Sequence, residues 1–60
     1  MSLAEARRRA NMSQRDVAKR LQISASAVAQ WEMGITQPKI KHLKQLSEMF
    51  DTSVDDLLKD

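Results

Sequence analysis

Only three residues, Gln22, Ile23 and Ser24, separate two stretches of helical periodicity, and so short a break leaves few ways to fold them. Ser13, followed three residues later by Asp16, has the pattern of a capping box, after which Val17, Ala18 and Leu21 share one helical face. Ser24 offers the N-cap of a second helix, in which Ala27, Val28 and Trp31 return at helical spacing and which Gly34 can end in the left-handed conformation. Helices joined this tightly cannot lie antiparallel. Their apolar stripes must meet at a steep crossing, which leaves the outer face of the second helix exposed. That face carries Ala25, Ser26, Ala29 and Gln30, small side chains and one amide that allow close approach to a flat or grooved partner.

The flanking segments supply the remaining core. In SLAEARRRA (residues 2–10), Leu3, Ala6, Arg7 and Ala10 share a face, and Asn11 tolerates the left-handed conformation that ends a helix before Met12 turns inward. After Gly34, the segment Ile-Thr-Gln-Pro-Lys reads as a loop in which Ile35 is expected to dip into the core. Pro38 suits the start of a helix over about Lys39 to Phe50, whose inner stripe is Ile40, Leu43, Leu46, Ser47 and Phe50. Lys41, His42, Lys44, Gln45 and Glu48 fall mostly outside, with His42 facing solvent rather than serving as a ligand. Ser53 caps a last short helix with Asp55 and Asp56 in its first turn, where the helix dipole favours them, and Val54, Leu57 and Leu58 close the core. The expectation is an all-α single domain over residues 1–60, with no strand, repeat or linker.

Several of these residues together resemble the helix-turn-helix of the phage repressor and Cro family, also described as XRE-like. The match is carried by Ser13-Gln14, Val17-Ala18, Ile23-Ser24, Val28, Trp31, Glu32, Gly34, Pro38 and the closing SVDDLL from Ser53 to Leu58. The resemblance implies a five-helix, lambda-repressor-like bundle whose third helix enters the DNA major groove. It also implies an architectural ion pair between Arg7 and Glu32, which would satisfy an arginine otherwise stranded on a core-facing stripe. At the turn between the two helices the family usually carries glycine, and this chain has Gln22. If the turn keeps a positive φ, the non-glycine residue costs on the order of 1 kcal/mol.

Composition narrows the function. The chain has no cysteine and one histidine, so no disulfide, cysteine–metal site or thiol nucleophile is available, and no cofactor is expected. No glycine-rich phosphate loop and no serine plausibly paired with the histidine are present, which argues against an enzyme. No apolar run approaches membrane-spanning length and there is no signal-peptide pattern, so a cytoplasmic protein is expected, and the resemblance implies a bacterial or phage origin. The net charge is only +2, but residues 1–47 hold nine Lys or Arg against Glu5, Asp16 and Glu32, whereas residues 48–60 hold five acids against Lys59. A basic body with an acidic end suits a surface that faces a polyanion.

From the resemblance, double-stranded DNA is the expected partner and no small-molecule ligand is. Ala25, Ser26, Ala29 and Gln30 match base-facing positions. Ser13, Gln14, Arg15 and Ser24 match or flank one set of phosphate contacts, and Thr36, Gln37, Lys39 and Lys41 surround a second. Gln30 can bond adenine bidentately, Ser26 can bond several bases, and either alanine can touch a thymine methyl. Without an arginine to read guanine, A·T-leaning contacts and moderate specificity follow. A homodimer on a palindromic operator is expected, with its interface drawn from the loop before the fourth helix, that helix and the last one. The leading function is a transcriptional regulator of repressor type. The alternative is an antitoxin-like or adaptor module of the same fold, which would expose large apolar anchors, and only Met33 is expected to be exposed.

Overall fold

Four serines start four of the five helices. In a computed structural model, which describes residues 1–58, the chain forms α1 (Leu3–Arg9), α2 (Gln14–Leu21), α3 (Ala25–Met33), α4 (Ile40–Phe50) and α5 (Val54–Leu58), with no strand among the described residues. The Oγ atoms of Ser2, Ser13, Ser24 and Ser53 accept from the backbone N–H three residues on, at 3.0–3.1 Å. At Ser13 the box is reciprocal, since its own N–H donates to the Asp16 carboxylate at 2.9 Å. Ser2 and Glu5 form a second reciprocal box, at 3.3 Å. These N–H donors hold the Glu5 and Asp16 carboxyls below the usual carboxylate range. Lys39 precedes α4 and gives it no side-chain cap.

The first four helices end alike. Asn11, Gln22, Gly34 and Asp51 all have positive φ, at 58°, 60°, 76° and 51°. In each case the next residue donates its N–H five residues back: Met12 to Arg7, Ile23 to Ala18, Ile35 to Gln30 and Thr52 to Ser47, at 3.0–3.2 Å. This is the Schellman arrangement, which satisfies carbonyls that a helix end otherwise leaves open. Asn and Asp tolerate the left-handed region; glutamine lacks their short side chain and bears the steric cost. Gln22 is exposed, so Gln22→Gly loses no packing. The gain from relieved strain exceeds the added freedom of the unfolded chain, and a net stabilisation of about 0.5–1 kcal/mol is expected. Thermal unfolding reads this as a midpoint rise of roughly 2–8 °C. A fall would contradict it.

Ala6, Val17, Ala18, Leu21, Val28, Leu46, Phe50 and Leu57 make up the buried core, drawn from all five helices. Helices α2 and α3 form the most extensive pair, and α1 lies against α3, α4 and α5. Met1, Leu3, Ala10, Met12, Ile23, Ala25, Trp31 and Met49 pack around this centre.

Four expectations are corrected. Ile35 is 65% exposed, because the left-handed turn at Gly34 sends the chain outward. Ile40 is 73% exposed: it continues the stripe of Leu43, Leu46 and Phe50 in register, but sits in the first turn of α4, beyond the elements packed on that stripe. Leu58 is 55% exposed, since the five-residue α5 turns Leu57 inward and its neighbour about 100° away. His42 is half-buried rather than solvent-facing. Its ring lies 5.4 Å from that of Trp31, tilted by 41°, and its Nδ1 is buried without a hydrogen-bond partner.

Candidate nucleic-acid interface

The orientation of α3 is fixed at both ends. Its start is capped by Ser24, and Val28 fastens its inner side with 1% exposure. Near its end, Glu32 meets Arg7 of α1, Nε donating to Oε2 at 2.7 Å and Nη2 to Oε1 at 3.2 Å. The side chains are only 12% and 8% exposed. Arg7 also donates to the Met12 carbonyl at 2.9 Å, and Gln14 Nε2 donates to Glu32 Oε1 at 3.0 Å. Burial alone would raise the Glu32 carboxyl, but the bonds from Arg7 and Gln14 outweigh it and hold the group below its usual range. The same pairing raises Arg7. One carboxylate therefore ties α1, the start of α2 and the end of α3 together.

The resemblance implies that Gln14 bonds a phosphate and helps to orient the third helix; the sequence does not disclose its bond to Glu32. The two roles are compatible, because a side-chain amide has two N–H donors and one carbonyl acceptor. A residue clamped by one donor presents the other in a fixed direction.

The outer side of α3 is narrower than periodicity alone suggests. Ser26 is exposed, Ala29 and Gln30 are half-buried, and Ala25 is half-buried against the core. Ser13, Arg15 and Ser24, at the starts of α2 and α3, are all exposed. Both serine Oγ atoms accept from their own helix, which leaves their hydroxyl protons free to donate outward. Thr36, Gln37, Lys39 and Lys41, in the loop and at the uncapped start of α4, are also exposed. Among the described residues, no helix is long and apolar enough to cross a membrane, and no group of three or more His, Cys, Asp or Glu is placed to hold a metal.

Comparison with known proteins agrees with this geometry. A helix-turn-helix family model matches residues 3–57. A curated relative, the HTH-type transcriptional activator BcrR of Enterococcus faecalis, is 35% identical over 48 residues, covering 80% of this chain. The chain spans 24% of that relative's length. No solved structure matches. With a capped pair of helices crossing at a left-handed turn, and a family match that runs from the first helix into the last, the chain belongs to the helix-turn-helix family of phage repressor and Cro type.

Proposed function

We propose that this domain binds double-stranded DNA in a sequence-specific manner and regulates transcription, with α3 lying in the major groove. The observation that carries this reading is the outer stripe of α3. Ser26, Ala29 and Gln30 present no charge and little bulk, on a helix held from behind by Val28 and the Arg7–Glu32 pair. A helix with such a face can come within contact distance of base edges. Gln30 reads adenine, Ser26 bonds a base edge, and Ala29 lies against a thymine methyl. Ala25 contributes only a glancing contact, since part of its surface packs inward. Ser13, Gln14, Arg15 and Ser24 hold one stretch of phosphates, and Thr36, Gln37, Lys39 and Lys41 a second.

One domain of this size covers a half-site, so binding is by two copies across a two-fold axis, about one DNA turn apart. The exposed Leu58 lines a groove of about 150 Å³ with Pro38, Leu43 and Leu57, and this groove together with the exposed Ile35 and Ile40 supplies the apolar surface for that pairing. This surface was not foreseen from the sequence, and it would equally serve an adaptor module. The uncharged stripe on α3, separate from it, favours DNA. Repression follows where the bound pair covers a promoter. The matched relative bears the name of an activator, and the same domain geometry serves either sign. A cytoplasmic location fits these roles.

Selection of bound duplexes from a random library, followed by titration on single-base variants, tests the assignment. Gln30→Ala should lose about 1–3 kcal/mol of discrimination at one base pair and little elsewhere. Gln14→Ala should weaken all duplexes alike and leave the salt dependence unchanged, because the amide carries no charge. Uniform losses for Gln30→Ala would remove it from the readout, and the absence of any duplex binding at low salt would defeat the reading as a whole.

A further inference from the structure

Met33 is the last residue of α3 and is 65% exposed. Counting from Ser26, the positions i, i+3, i+4 and i+7 are Ser26, Ala29, Gln30 and Met33, which stack along one side of a helix. The largest exposed apolar side chain of α3 therefore stands in line with the residues assigned to base edges. The core does not use it, since Val28 and Trp31 occupy the inner side of the same turns. The other large exposed apolar groups, Ile35, Ile40 and Leu58, lie outside α3.

We propose that Met33 is a specificity-determining residue that reads the C5-methyl group of a thymine in the major groove. This rests on the DNA-binding reading above and extends it. A thioether is at most a weak acceptor, so Met33 cannot read the hydrogen-bonding edge of a base. It can make apolar contact, and among the four bases only thymine presents a methyl group in the major groove. An unbranched side chain with three rotatable bonds adapts to that small target across the wall of the groove. Seven residues along α3 correspond to about 10 Å, so the thymine lies about three base steps from the pair contacted by Ser26. The contact adds a second discriminating position to that of Gln30, since Ser26 and the alanines discriminate weakly and the stripe carries no arginine.

Replacing thymines one at a time by deoxyuridine removes only the methyl group. On a duplex selected by the unmodified protein, one such replacement near the end of the half-site should weaken binding about three- to five-fold, the value of one buried methyl group. Met33→Ala should weaken binding to the thymine duplex by a similar factor and bind the deoxyuridine duplex no worse. Met33→Leu should retain the preference for thymine. Melting of Met33→Ala should match the parent, because the side chain is exposed. A Met33→Ala protein that keeps every thymine-to-deoxyuridine ratio of the parent overturns the contact while leaving the DNA-binding reading intact. A parent that binds no duplex in dilute buffer overturns both.

Discussion

Glu32→Ala is expected to cost about 3–5 kcal/mol of folding stability, the usual consequence of removing one partner from a buried ion pair. The guanidinium of Arg7, whose side chain is 12% exposed, would keep only the Met12 carbonyl, and Gln14 would lose the acceptor that orients it. For a chain of this length, total stability is roughly 3–9 kcal/mol, so the variant stands near the edge of folding. The cost comes from stranding a charge rather than from losing attraction. The double variant Arg7→Met with Glu32→Leu should therefore recover most of the loss, because it removes the desolvated charges together. Urea unfolding of the parent and both variants measures the difference, and a double variant no better than Glu32→Ala would mean that the pair contributes attraction beyond its desolvation cost.

Acid should weaken the same junction. The Glu32 carboxyl is lower in the folded chain than its ordinary value of 4.5. Its contribution is therefore complete above about pH 4.5 and is lost as pH falls through the lower folded value. Glu5 and Asp16, held down by their capping bonds, act in the same direction, so Glu32→Gln should flatten the acid limb of stability without abolishing it.

Leu46→Ala is expected to lose about 2–5 kcal/mol, with a fall in the unfolding midpoint of roughly 10 °C or more. Leu46 is wholly inaccessible and stands in a core that every helix shares. A 60-residue chain without disulfides has no second core to fall back on. Ile40→Ala, on the same helix and in the same apolar register, removes a side chain that is 73% exposed and, at dilution where the chain is monomeric, should change stability by less than about 0.5 kcal/mol. Equal losses from the two would show that Ile40 is covered after all. In that event the surface assigned to dimer formation would shrink to Ile35 and Leu58.

Ile40 also shows where sequence reading stops. Periodicity places a residue on a helix face; it does not say whether another element extends far enough to cover it. Ile35 follows no helical period, since the turn at Gly34 carries it outward, and Leu58 is rotated away from the buried Leu57; His42 departs in the opposite direction, half-buried with its ring 5.4 Å from that of Trp31. Local chemistry was far more legible. The caps at Ser13, Ser24 and Ser53 and the left-handed endings at Asn11 and Gly34 depend on a few adjacent residues, and each has the conformation those residues favour or tolerate, while Gln22 takes the family's turn at a steric cost. The capping box at Ser2 and Glu5 has the same three-residue spacing as that at Ser13 and is equally local. At the candidate site, the outer stripe of α3 could be read as a helical face. The bond from Gln14 to Glu32 could not, since it joins residues 18 positions apart and depends on how α2 and α3 cross.

That crossing is the foundation of the functional reading, because it turns Ser26 and Gln30 outward while Val28 stays inside. A nuclear magnetic resonance titration of the isotopically labelled protein with a duplex selected from a random library examines it residue by residue. The expected result is that the largest amide shifts fall on Ser24, Ser26, Ala29 and Gln30, with smaller ones at Gln14 and Thr36. Shifts concentrated on α4 and α5, with the outer side of α3 unmoved at saturation, would contradict it.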